Sequence, residues 1–199
     1  MAITSVKTGS SFTNLKKYDS MLAGNAAYDP STFFLIQRTA GTGSSASVTF
    51  SSIPSTYTHL QIRIMARDNR ASNFHSNINM TFNSDTAANY AQHYLLGNGS
   101  TASAAGYTNQ TEAFAIRCTG ASAPANTFGV GVIDILDYAN TNKFKTVRSL
   151  NGNDQNGVGE IYLYSDLWRS TSAITSIVLN PVTTPIQQYS TFALYGMKG

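Results

Sequence analysis

From Ser31 onward, apolar residues recur at every second position, and no stretch carries them at every third or fourth over a helical length. A period of two admits little besides β-sheet. His59 to Arg67 shows it most plainly: Leu60, Ile62, Ile64 and Ala66 alternate with Gln61, Arg63, Met65 and Arg67, which predicts a strand with one core face and one basic-tinged outer face. Val48 and Phe50 alternate with Thr49 and Ser51 within Ser47 to Ile53, and Ile78, Met80 and Phe82 alternate with Asn79, Thr81 and Asn83. Further strands are predicted at Phe33 to Ala40, Tyr90 to Leu96, Glu112 to Thr119, Phe144 to Leu150, Glu160 to Tyr164, Ile174 to Leu179 and Thr191 to Gly196. Thr127 to Tyr138 is apolar on both sides, through Val130, Val132, Ile133, Ile135 and Leu136, as a central strand would be.

Gly97 to Asn109 is almost wholly small and polar and reads as a surface loop, while Asn151 to Gly159 reads as the turn of a hairpin. About ten short strands separated by Gly, Pro and Asn turns predict an all-β fold: an antiparallel two-sheet β-sandwich, jelly-roll-like, over residues 31–199.

The segment before Pro30 follows another rule. Phe12, Leu15, Met21 and Leu22 recur at helical spacing and Gly24-Asn25 can end a helix, so a short amphipathic helix is predicted from Thr13 to Ala23, carrying the Lys16-Lys17 pair. Two readings stand for residues 1–30. One is a strut packed on its own domain; the other is an arm that docks on another subunit through Phe12, Leu15, Lys16, Lys17, Met21 and Leu22. The opening residues contain no apolar signal-peptide core and nothing approaches the length of a membrane span, so synthesis in a cytoplasm and no membrane partner are expected.

Only 12% of the residues are charged, about half the usual share, and Ser, Thr, Asn and Gly take their place on the surface. The thirteen basic residues, net +3, are scattered rather than gathered in a stripe, which argues against nucleic acid as a partner. Cys118 is the sole cysteine, so no intrachain disulfide forms, and its setting is that of a small buried hydrophobe.

No arrangement of residues suggests catalysis. Asp134 and Asp137, three apart on a strand, point to opposite faces and cannot flank one bond; Asp137 is better placed to open the turn that follows. His59, His75 and His93 lack metal-ligand spacing, and the Asn151 to Glu160 stretch lacks the order of acidic ligands in a calcium loop. With no nucleophile elbow and no phosphate-binding loop, a non-enzymatic protein without cofactor or metal is expected. The remaining resource is aromatic: eleven Tyr, ten Phe and Trp168. Tyr162, Tyr164 and Trp168 could form a stacking platform for sugars or fill the core; alternation sets Tyr162 and Tyr164 against Ile161 and Leu163, so one of these pairs faces outward.

Phe50 to Ile62 (FSSIPSTYTHLQI), Asn140 to Val147 (NTNKFKTV), Leu167 to Ile177 (LWRSTSAITSI), Thr191 to Lys198 (TFALYGMK) and Ser20 to Tyr28 (SMLAGNAAY) together resemble a family of uncharacterised virion proteins from tailed bacteriophages of aquatic bacteria. The resemblance spans most of the chain and implies a virion-surface component. Two expectations follow from it. The first is a capsid decoration (cement) or head-fibre protein, a homotrimer fastened by its N-terminal arm to the major capsid protein. The second is a tail-fibre or tail-tip module that recognises host glycans.

Overall fold

The computed structural model describes residues 33–183 and 185–198; the predicted arm, with Phe12, Leu15, Lys16, Lys17, Met21 and Leu22, lies outside the described residues. Twelve strands form among them: β1 (Phe33–Ala40), β2 (Val48–Phe50), β3 (His59–Ala66), β4 (His75–Phe82), β5 (Tyr90–Gly97), β6 (Ala102–Gln110), β7 (Ala113–Thr119), β8 (Gly129–Ile135), β9 (Lys145–Asp154), β10 (Gly159–Trp168), β11 (Ile177–Pro181) and β12 (Thr191–Met197). They make two antiparallel sheets, one of eight strands ordered β1-β12-β3-β8-β9-β10-β5-β6 and one of four ordered β2-β11-β4-β7. The all-β, two-sheet sandwich expected from the period of two is what forms. If the β5–β6 and β9–β10 hairpins are set aside, the sheets reduce to β1-β12-β3-β8 and β2-β11-β4-β7, the strand order of a jelly roll. Both hairpins are insertions that widen the same sheet, so it overhangs the smaller one on the β7 side.

The core lies where the alternating apolar sets of the two sheets meet. Leu60, Ile62 and Ile64 of β3, Ile133 and Ile135 of β8 and Phe192 and Leu194 of β12 pack against Val48 and Phe50 of β2, Ile78, Met80 and Phe82 of β4, and Ile177 and Leu179 of β11, all buried. Trp168 caps one end, 2% exposed, with its ring against Phe82 and Tyr90 and its indole N–H donated to Asp85 Oδ2 at 2.7 Å. Burial acts against the Asp85 carboxylate, but hydrogen bonds from Asn89, Trp168 and the Ala87 amide outweigh it and hold its pKa below the ordinary value.

Three expectations change. Most of the Gly97 to Asn109 stretch expected as loop is strand β6, Ala102 to Gln110, paired with β5 from Gly97↔Ala102 to Tyr90↔Gln110. It has no large aliphatic side chain to signal a strand, only small and polar residues and Tyr107, because it is the outermost strand of the overhang and covers no core. The hairpin of β9 and β10 turns only at Gln155 to Val158, where Asn156 and Gly157 take positive φ; Asn151 and Asn153 continue β9. Asparagine is tolerated there because it works inside the sandwich, where Asn151 Oδ1 accepts from the Arg117 amide at 2.9 Å and Gln155 Nε2 donates to Asn153 Oδ1 at 2.9 Å. Finally, β8 is central as expected, but its second apolar side is not covered, since Val130 and Val132 are exposed.

The edge of β7 shows how the widened sheet closes on the smaller one. Among the described residues no strand continues the smaller sheet beyond β7. Its free backbone groups are met instead by side chains from the opposite sheet: Ser149 Oγ donates to Ala115 O at 2.6 Å, Asn151 accepts from Arg117 N, and Asp166 Oδ1 accepts from Phe114 N at 3.5 Å. An edge that would otherwise offer a template for strand addition is thereby satisfied internally.

Candidate functional site

The inserted hairpins present two faces, and each carries a candidate surface. Outward, the pairing registers lay side chains in rows across the large sheet. One row runs Ala193, Arg63, Val132, Leu150, Leu163, Leu95 and Ala104 from β12 to β6. The next runs Thr191, Met65, Val130, Gly152, Ile161, Gly97 and Ala102. Leu150, Leu95 and Ile161 are 54%, 59% and 59% exposed, so these rows form an apolar belt in solvent. Glycine at two places in the second row deepens it into a trough of about 1320 Å³. On its other side the belt is bordered by a polar row, Tyr195, Gln61, Asp134, Arg148, Ser165, His93 and Gly106. Asp134 accepts there from Gln61 Nε2 at 2.8 Å. A contiguous exposed belt of this kind marks an interaction surface.

The inner face of the overhang holds a cleft of about 290 Å³ beside the β7 edge. Its floor is aromatic. Tyr162 and Tyr164 of β10 stack on each other, and Phe114 stacks on Tyr164 with ring centroids 3.8 Å apart at an interplanar angle of 12°. Tyr94 of β5 leans on Tyr164 and stacks on Tyr107 of β6, and Tyr107 is 47% exposed at the rim. Around the rings stand amides: Asn77 and Asn79 from β4, Gln92 from β5 and Gln110 from β6.

Arg117 of β7 reaches over this floor. Its guanidinium donates to Asn77 Oδ1 at 2.8 Å and to the Tyr162 hydroxyl, lies 4.8 Å from the Tyr162 ring centroid, and sits 3.1 Å from Glu160 Oε2. His75 Nδ1 approaches the same carboxylate oxygen at 3.4 Å, and neither approach has hydrogen-bond alignment. Burial lowers the pKa of His75 and the charge of Arg117 lowers it further, against the opposing pull of Glu160. Burial likewise raises the phenol pKa values of Tyr94, Tyr162 and Tyr164, so these rings are neutral hydrogen-bonding groups at physiological pH.

The residues expected from sequence to face glycans are therefore divided. Tyr162 and Tyr164 are 2% and 6% exposed, while their alternates Ile161 and Leu163 are the outward pair. Trp168 is a core residue and contributes nothing to the cleft. The rings nearest solvent are Tyr94 and Tyr107, which sequence reasoning passed over, because Tyr107 lay in the presumed loop and Tyr94 gained meaning only beside it. Alternation of Gln92, Tyr94 and Leu96 was the available signal.

Other candidates stay apart. His59 Nδ1 accepts from the Asp137 amide at 3.0 Å, His75 faces Glu160 and His93 is on the outer face, so the histidines do not converge. No group of three or more metal-ligating residues occurs among the described residues. Asp137 opens its turn as expected, with φ 49° and its carbonyl accepting from Asn140 N at 2.9 Å. Cys118 is buried and its thiol pKa is pushed up by desolvation and by Asp68. Compared with known protein families, curated proteins and solved structures, the chain matches none.

Proposed function

We propose that this protein is a non-enzymatic structural component of a tailed-bacteriophage virion, a capsid decoration or head-fibre protein that self-associates as a trimer. It is made in the host cytoplasm and incorporated at the particle surface. The observation that carries the self-association is the apolar belt. Seven strands at about 4.8 Å and two rows at about 6.8 Å give the belt roughly 450 Å², and the bordering polar row brings this face to roughly 700 Å², close to the ~800 Å² per partner of a standard interface. Asp134 beside Arg148 in the bordering row offers both signs of charge to a symmetry-related copy, as a closed assembly needs. The virion assignment itself rests on the family resemblance of the sequence, and attachment to the major capsid protein is assigned to residues 1–30.

Mass measurement of the full chain in solution tests the belt: Leu163→Lys or Leu150→Glu is expected to yield monomers from an oligomer. A wild-type chain that is monomeric at high concentration would remove the belt from the proposal. Copy number in purified particles tests the location, hundreds per particle for a capsid role against a handful for a tail role. Deleting residues 1–29 is expected to abolish shell binding, and undiminished binding would sink the docking role of the arm. A tail module that recognises host glycans is the second reading, favoured by the aromatic and amide cleft.

A further inference from the structure

We infer that the cleft between the β5–β6 overhang and β7 is a binding site for a single uncharged sugar ring. It deepens the second reading, glycan recognition, and is independent of the assembly reading, since belt and cleft occupy opposite faces of the sheet.

The first argument is the unspent hydrogen-bonding capacity. Among the described residues Gln92 makes no side-chain hydrogen bond at all, and it lines the cleft. Gln110 uses only its Nε2, on Thr108 O at 2.9 Å, and Asn79 uses only its Nδ2, on Glu112 Oε2 at 2.9 Å. Asn77 uses only its Oδ1, accepting from Arg117. Both amide donors and carbonyl acceptors thus remain free around one small space. Hydroxyls, which donate and accept at once, are the ligand groups that match such a mixed set.

The second argument is the floor. Tyr94 and Tyr107 lie 6.4 Å apart at 24°, a stacked pair whose outer member is open to solvent. The C–H face of a pyranose packs on such a ring, while its equatorial hydroxyls project sideways toward the amides. An aromatic surface ringed by polar groups suits a ligand that is itself apolar on its faces and polar at its edge.

Charge narrows the class. Among the described residues the one cation lining the cleft, Arg117, is already held by Glu160, Asn77 and Tyr162, so no free charge there awaits a phosphate, sulfate or carboxylate. Size narrows it further, because 290 Å³ stands at the lower edge of the ~300–1,000 Å³ typical of ligand sites. One ring fits, with any further residues of a chain running out past Tyr107.

Saturation-transfer NMR on the full-length protein tests this with methyl glycosides of glucose, galactose, rhamnose and N-acetylglucosamine, each to about 10 mM, where a millimolar affinity registers. At least one glycoside is expected to receive saturation and to shift the Tyr94 and Tyr107 ring signals. Tyr107→Ala and Gln92→Leu are expected to weaken it about five- to tenfold each, while Leu136→Ser, at an exposed position outside both belt and cleft, leaves it unchanged. Tyr107 lies half-exposed on an edge strand, so its truncation leaves the core intact. The inference is overturned if no glycoside binds, if binding survives both cleft variants, or if only charged sugars or nucleosides bind.

Discussion

Asp166 is a carboxyl buried in the sandwich, 1% exposed, and replacing it with asparagine should make the protein more stable. Its Oδ1 has one long hydrogen bond, from the Phe114 amide at 3.5 Å, and its Oδ2 has no partner. Desolvation pushes its pKa from 3.8 up to about 8, against which the Phe114 bond is a small opposing effect. A raised carboxyl pKa fixes the sign. Below 3.8 both folded and unfolded chains hold the proton and the group costs nothing; between 3.8 and about 8 the unfolded chain ionises while the folded one does not. Stability therefore falls as pH rises through that window, by ~1.4 kcal/mol per unit, or roughly 4 kcal/mol by neutral pH. A side-chain amide at this position would keep the acceptor for the Phe114 N–H and place an N–H where the protonated acid places an O–H; its second N–H is one added buried donor, which holds the gain below the full ionisation penalty. Asp166→Asn should gain on the order of 2–4 kcal/mol at neutral pH, about 5–10 °C in Tm, and close to nothing near pH 4. Urea and thermal unfolding of both proteins from pH 4 to 9 would show the two stability curves diverging as pH rises. Parallel curves would refute the argument that Asp166 is folded as a neutral acid.

Lys145→Met should cost about 2–4 kcal/mol in denaturant unfolding, because the buried ammonium donates to Asn140 O, Lys143 O and Thr171 O and its loss strands all three carbonyls. Tyr189, 74% exposed with φ 71°, is a bulky residue in a left-handed turn; Tyr189→Gly should stabilise by about 0.5–1 kcal/mol, read as a rise in Tm. Cys118, buried with its thiol pKa raised by desolvation, should resist a chromogenic disulfide reagent in the native protein and react at once in denaturant.

Strand positions were largely legible because alternation is local. β1 was predicted at its observed bounds, and β3, β5 and β12 came within a residue at their ends. Where prediction failed, the missing information lay in another strand. Ala102 to Gln110 has no large aliphatic residue to mark it and is a strand because β5 offers it an edge. Asn151 and Asn153 look like turn residues and are inside the sandwich because the β7 edge and Gln155 supply their hydrogen bonds.

The site was less legible still. Sequence alone determined that the chain is a β-sandwich with alternating faces, since a period of two forces every second side chain to one side. It could not determine which of Ile161-Leu163 and Tyr162-Tyr164 meets the core, because each pair is apolar enough to be buried. Tertiary structure decided that, by setting Tyr162 beneath Arg117 and Phe114 and leaving the aliphatic pair in solvent. It also decided that Leu95, Leu150 and Leu163 form one row and that Tyr94 meets Tyr107, because rows and clefts exist only once the pairing register is fixed, and register is a property of two strands rather than one.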